Sequence, residues 1–213
     1  MNRNVESHFS ELPAIDIQRS IFDRSHTHKT SFDAGELIPI FIDEVLPGDT
    51  FRITTQKVIR AQTMLTPIMD NMYLDTYFFF IPMRLVWNHW AEFFGENTSS
   101  PWIQQTTYSI PQISSPNNGL DGFDVGTIAD YLGIPTGEPF SSQCVRGVSH
   151  LPFRAYALVA DQWFRDENLT YPLAIPLGDS NEVGSNGSNY ITDQPLAHRP
   201  EKANEKHHEH IEN

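Results

Sequence analysis

The run Tyr77-Phe78-Phe79-Phe80-Ile81, stopped by Pro82, constrains this chain more than any other feature. Successive residues of a strand face opposite sides, so a stretch from Tyr73 to Ile81 that is aromatic at both parities has no side to leave in water. It must be covered on both faces. Five apolar residues fall far short of the roughly 20 that span a bilayer. Met1 to Pro13 has no apolar leader core, so nothing points to a membrane or to export. Two more segments read as strands. Leu37 to Val45 is Leu-Ile-Pro-Ile-Phe-Ile-Asp-Glu-Val, and after the turn residues Leu46-Pro47-Gly48-Asp49 comes Phe51 to Arg60, an alternation rich in β-branched residues. These two are expected to pair antiparallel.

Helical spacing appears between and after the strands. Met83 to Phe94 carries Leu85, Val86, Trp90, Phe93 and Phe94 at intervals of three and four, with Pro82 at the start. Asp124 is placed to cap a short helix through Val125, Ile128, Ala129 and Leu132, which Gly133 ends and Pro135 keeps from restarting. A longer helix is expected over Leu151 to Asn168, with Pro152 in its first turn and a stripe of Phe153, Tyr156, Ala157, Ala160, Trp163 and Phe164. Prolines and glycines crowd the connections, as in Ser114-Ser115-Pro116-Asn117-Asn118-Gly119. The organisation is therefore an extended arm over 1-30, a body over 31-195 and a polar tail over 196-213 that has almost nothing apolar to dock.

Charge and motif content narrow the chemistry. Lys+Arg 14 against Asp+Glu 27 gives a net charge of -13, so bulk electrostatics oppose rather than recruit nucleic acid or anionic lipid. With Cys144 as the single cysteine no intrachain disulfide forms, which excludes a stapled secreted scaffold and fits a reducing compartment. Phosphate-cradling and dinucleotide-binding glycine loops, the serine-nucleophile elbow and paired-cysteine zinc spacing are all missing. The nearest enzymatic pattern is His26-Thr27-His28 with Asp33, which is similar to a cupin metal site. It departs from that pattern at Ser20, Asp33 and Ile40. His207, His208 and His210 around Glu209 offer unspecific chelation in a flexible tail, and Cys144 has no partner base. No enzymatic activity, cofactor or metal is expected.

What remains is aromatic. Trp87, Trp90, Trp102 and Trp163, interleaved with Arg84, Arg154 and Arg165, offer surfaces on which unpaired bases could stack. Their helical spacing favours packing instead, and Trp87, Trp90, Phe93, Phe94, Trp163 and Phe164 are the candidates for core or subunit interface.

A series of ordered segments then adds a family resemblance. Phe22-Asp23-Arg24-Ser25, Phe32-Asp33-Ala34-Gly35 and Asp43-Glu44-Val45-Leu46-Pro47-Gly48-Asp49-Thr50 are followed by Leu74-Asp75-Thr76-Tyr77-Phe78-Phe79-Phe80-Ile81-Pro82 and Arg84-Leu85-Val86-Trp87. The second half continues with Gly126-Thr127-Ile128-Ala129-Asp130-Tyr131, Leu151-Pro152-Phe153-Arg154-Ala155-Tyr156 and Trp163-Phe164-Arg165-Asp166-Glu167-Asn168-Leu169. Over roughly Phe9 to Asp193 the chain resembles the gokushovirus-type major capsid protein of the Microviridae, small single-stranded DNA bacteriophages.

That resemblance implies a mainly β fold, a viral jelly roll of eight strands with long loop and helical insertions, incomplete here because family members are much longer. It also implies a structural role in a T=1 icosahedral capsid. The implied partners are further copies of the subunit as a homo-oligomer, other phage structural proteins and the packaged single-stranded DNA. The implied location is the virion, with the host bacterial cytoplasm during assembly. Arg19, Arg24 and Lys29 in the arm are the candidates for touching DNA. A different class of function, a β-sandwich module that recognises a glycan or host surface through loops around Trp102 and Tyr108, is the alternative.

Overall fold

A nine-residue helix, Leu151–Val159, organises what packs in this chain. Pro152 stands in its first turn, where a missing N–H costs nothing, and Phe-Arg-Ala-Tyr-Ala-Leu that follows contains no glycine and no β-branched residue. The structure is a computed structural model describing residues 19–67, 69–97, 102, 108–114, 122–137 and 148–183. In chain order these hold a 3-10 turn at Met83–Leu85, helix α1 at Trp90–Phe93, strand β1 at Ile113–Ser114 and helix α2 at Ile128–Tyr131. Helix α3 at Leu151–Val159, a π-helical turn at Ala160–Phe164 and strand β2 at Glu182–Val183 follow.

Helix α3 lies between two apolar clusters. Phe153, Tyr156 and Ala157 share one side, spaced three and four apart, and pack with Ile113, Phe123, Ile128, Ala129 and Ile134. Leu151 and Ala155, on the other side, pack with Val86 and Trp87. Each large side chain taken out of water in these clusters is worth about 1.5–3 kcal/mol before entropy is charged against it. The two-residue strands β1 and β2 pair in parallel, Ile113 opposite Glu182 and Ser114 opposite Val183, and bring the end of the described chain back to the first cluster.

Local chemistry explains the shorter elements, and in places departs from the sequence expectation. Helix α2 is capped by Thr127, whose Oγ1 accepts from the Asp130 N–H (3.4 Å), rather than by Asp124. Asp124 contributes its carbonyl instead, which accepts from the Thr127 hydroxyl (2.8 Å). Gly133 ends the turn as expected, at φ +86, a left-handed conformation that suits glycine. The expected helix over 83–94 is two single turns separated at 86–89, with Pro82 preceding the first. The expected helix over Leu151 to Asn168 runs as α only to Val159. The π-helical turn then breaks the 3.6-residue phase, so Trp163 leaves the buried stripe and stands 70% exposed.

Residues 19–81 differ throughout. None of the described ones is buried, and large apolar side chains from Ile21 to Phe80 stand in solvent. The segments around Leu37, Phe51 and Tyr73 show no strand ladder among the described residues, so the expected antiparallel pairing of the first two is not formed. The turn between them is formed: the Asp49 N–H donates to the Leu46 carbonyl (3.1 Å), and Gly48 takes φ +86. Alternation makes a segment able to pair but supplies no neighbour to pair with. Residues 1–18 of the arm and the whole polar tail lie outside the described residues.

Candidate assembly surfaces

The aromatic candidates fall into two groups of rings. The first begins at Trp87, which is 1% exposed. Its indole meets Trp90 (centroids 6.3 Å apart), Phe93 (5.7 Å) and Tyr108 (5.9 Å), and Trp90 in turn meets Phe94 edge-on at 4.8 Å. Phe94 is 65% exposed. Four of the candidate rings thus form one ladder from core to solvent. Offset and edge-on pairs of this kind add about 0.5–1.5 kcal/mol beyond the area they bury.

The second group joins the long amino-terminal segment to the end of the central helix. Tyr77 packs edge-on against Phe164 (5.3 Å), and Phe79 meets Trp163 (5.5 Å) and Phe164 (6.1 Å). Trp163 and Phe164 were legible as candidates from helical spacing, but the neighbours that hold them come from a strand-like run distant in sequence. Phe78 and Phe80, alternating with Tyr77 and Phe79, remain exposed on the opposite side.

Polar groups fix the first ladder in place. The Trp87 Nε1–H donates to Asp179 Oδ1 (2.8 Å), His89 Nδ1 lies 2.8 Å from the same oxygen, and the Ser109 N–H donates to Oδ2 (3.3 Å). The Asp179 contact raises the His89 pKa above its ordinary value. Partial burial pulls the Asp179 carboxyl up, but the bonds from Trp87, His89 and Ser109 outweigh it and hold its pKa below the usual value. Nothing in the sequence singled out Asp179, because its partners lie 70 to 92 residues earlier.

Arg154 corrects an expectation. It is fully buried, so it cannot stack on a base. Its guanidinium donates to the carbonyls of Val86 (3.2 Å) and Gly178 (2.9 Å) and to His150 Nδ1 (3.1 Å). Arg165 is also engaged: its Nη1–H donates to the Thr170 carbonyl (3.0 Å) and its Nε lies 2.9 Å from Asp161.

The arm cations are partly occupied. Arg19 donates to the Gly48 carbonyl (2.8 Å), Arg24 pairs with Asp43 (2.6 Å), and Lys29 is exposed. His26 stacks on Phe41 and its Nδ1 lies 3.1 Å from the Arg24 carbonyl. Among the described residues no group of three His, Cys, Asp or Glu side chains is placed to hold a metal ion. Cys144 and the His207, His208, His210 cluster lie outside the described residues. Of the two rings on which the glycan-binding alternative relies, Trp102 is exposed, whereas Tyr108 is built into the ladder. No helix among the described residues is long and apolar enough to cross a membrane.

A family model described as Capsid protein (F protein) matches residues 10–207. The "Capsid protein VP1" of Bdellovibrio phage phiMH2K is 42% identical over 178 residues, covering 84% of this chain and 32% of that protein. Those of Chlamydia phage 1 (42% over 183 residues; 83% and 29%) and Spiroplasma virus 4 (39% over 199 residues; 93% and 34%) are similar. The chain spans about a third of the length of each.

Proposed function

The chain belongs to the capsid protein (F protein) family, and from that premise we propose that it is a structural, non-enzymatic part of the protein shell of a small single-stranded DNA phage. The observation that carries this reading is the exposed apolar surface of residues 19–81 together with Phe94 and Trp163. Large apolar side chains left in water in such number mark a face that other polypeptide covers. In a closed shell each contact is repeated by symmetry, so modest interfaces sum to a stable assembly.

The finer architecture belongs to the same proposal. The segments around Leu37, Phe51 and Tyr73 are strands of an eight-stranded jelly roll whose partners come from elsewhere in the assembled shell, and the shell has T=1 symmetry. Alternation in the first two segments and two-faced aromaticity in the third support this. The ring ladder and the Phe79–Trp163 group form subunit contacts. The arm over 19–30 faces the packaged DNA, with Lys29 as its exposed cation and Arg19 and Arg24 able to exchange their present partners for phosphate. Other phage structural proteins complete the particle, which assembles in the host cytoplasm.

Size-exclusion chromatography with light scattering, followed by electron microscopy, tests the proposal on the full chain. Concentration-dependent association that F79D and W163D weaken is the expected result. A monomer at every concentration that keeps these rings in solvent overturns it.

A further inference from the structure

His150 and Arg154 sit one helical turn apart at the start of α3, between the two apolar clusters, and both are completely buried. The Arg154 Nε–H donates to His150 Nδ1 at 3.1 Å. A ring nitrogen that accepts carries no proton, so the imidazole is neutral with its hydrogen on Nε2, a buried atom that has no hydrogen-bond partner. The rest of the guanidinium reaches outward: Nη1 donates to Val86 and Gly178 carbonyls, and Nη2 lies 3.5 Å from the Ser180 carbonyl. An imidazole therefore orients the cation that holds the 178–180 loop. The charged groups around this pair are few. Glu182 from strand β2 and Asp179 from the loop bear on Arg154, His89 from the segment after the 3-10 turn is bound to Asp179, and Arg154 is the charge that bears on His150 from α3 itself.

We propose that the His150–Arg154 contact is an acid-sensitive latch on the 178–180 loop. A proton arriving at His150 Nδ1 turns an acceptor into a donor that faces another donor and places two like charges side by side in the core. The guanidinium withdraws and releases the Gly178 and Ser180 carbonyls. Asp179 belongs to the same loop, so the Trp87 indole at the root of the ring ladder loses its fixed anchor as the loop opens. The latch rests on this geometry alone; its bearing on assembly rests on the function proposed above.

Burial, reinforced by Arg154, lowers the His150 pKa from 6.5 to about 4. In the open loop the ring regains water and its ordinary affinity for a proton. Between pH 6.5 and 4 the opening equilibrium consequently rises by up to about tenfold per pH unit, reaching about 150-fold in all by pH 4, where the closed ring is itself half protonated.

Hydrogen exchange on the full chain between pH 7 and pH 4, corrected for intrinsic rates, reads this opening. The reporters are the Asn88 N–H, bonded to the Leu177 carbonyl, and the Glu182 N–H, bonded to the Gln112 carbonyl. Their protection is expected to fall by up to about 100-fold, while the Tyr131 and Leu132 amides of α2 stay protected. In H150N the amide oxygen keeps an acceptor near the Nδ1 position and cannot be protonated, so the profile flattens. An equal fall in H150N overturns the latch, as does loss of α2 protection in step with the loop. Should H150N not fold, the titration of the His150 ring in the unaltered chain decides: a midpoint well below the ordinary imidazole value supports the contact, and an ordinary midpoint removes it. Chains titrated in the same series for association show separately whether the ladder meets a partner.

Discussion

Phe80 and Phe153 are the same side chain in two regions with opposite fates. In residues 19–81 Phe80 stands 72% exposed among apolar neighbours that are exposed too, whereas in residues 83–183 Phe153 is 1% exposed between helices. The difference is one of range. A helix places residues three and four apart on one side, so Phe153, Tyr156 and Ala157 present a ready-made face as soon as α3 forms. A strand offers the same apolar content on two faces and satisfies its backbone only through a neighbour distant in sequence. The second region carries its own cover, and the first depends on covering from outside.

The largest expected effects test that contrast directly. R154A leaves three carbonyls and an imidazole nitrogen without their donor, between two clusters that cannot admit water cheaply. A loss of about 3–5 kcal/mol in urea unfolding is expected. F153A empties the first cluster at a cost of about 3–5 kcal/mol. F80A removes a ring already in water and is expected to change unfolding by less than about 0.5 kcal/mol. If F80A approaches F153A in cost, the two regions form one cooperative core and the contrast fails.

D179N comes next. The carboxylate gathers the Trp87 and Ser109 N–H groups and His89, so losing its charge is expected to cost about 1–3 kcal/mol. The pH dependence follows from the two shifts. The His89 pKa is raised, so its contribution is full below 6.5 and disappears as the pH rises through the higher folded value. The Asp179 pKa is lowered, so its contribution is full above 3.8 and disappears as the pH falls through the lower folded value. Urea midpoints should therefore show D179N costing more near pH 5.5 than near pH 9. Equal costs at both would mean that His89 takes no part.

What the sequence disclosed follows the same division by range. The Gly133 stop, the Pro152 start and the grouping of Trp87, Trp90, Phe93 and Phe94 were legible because each depends on residues within a turn or two. The family was legible for a different reason, since many short segments in a fixed order constrain identity more than any one of them does. The cap at Thr127 was misassigned to Asp124 because both residue types suit the position and three residues separate them. Asp179 and the burial of Arg154 gave no local signal. Their meaning lies in carbonyls and indoles tens of residues away, and helical spacing that favours packing for the aromatics does not say which carbonyls an arginine among them will hold. The missing ladder at Leu37 and Phe51 is the same limit from the other side: strand character is local, and pairing is not.

Smaller changes sharpen the local half of the comparison. T127A removes the Oγ1 acceptor of the α2 cap and is expected to cost about 1 kcal/mol. G133A meets open space but must hold φ +86 with a Cβ, so about 1 kcal/mol of backbone strain is expected. Thermal melts of both should show small, similar decreases. A neutral T127A would mean that α2 is held by its buried face alone.

The smallest effect is expected at Arg24. Its ion pair with Asp43 is short, at 2.6 Å, and the carboxylate side chain is 7% exposed, yet the guanidinium is 64% exposed. Pairs with one partner in water return little, because screening and the ordering of a long side chain offset the attraction. R24A should therefore change unfolding by less than about 0.5 kcal/mol, with a weak dependence on salt. The buried Asp43 oxygens argue the other way, since Oδ2 already has no hydrogen-bond partner and Oδ1 would keep only the Glu44 N–H (2.8 Å). Exposure decides between them: Asp43 lies in a region with no buried residue among the described ones, so water reaches the carboxylate once the guanidinium leaves. A loss above about 1 kcal/mol would mean that water does not reach it, and that the arm packs on residues 40–43 as a small core of its own.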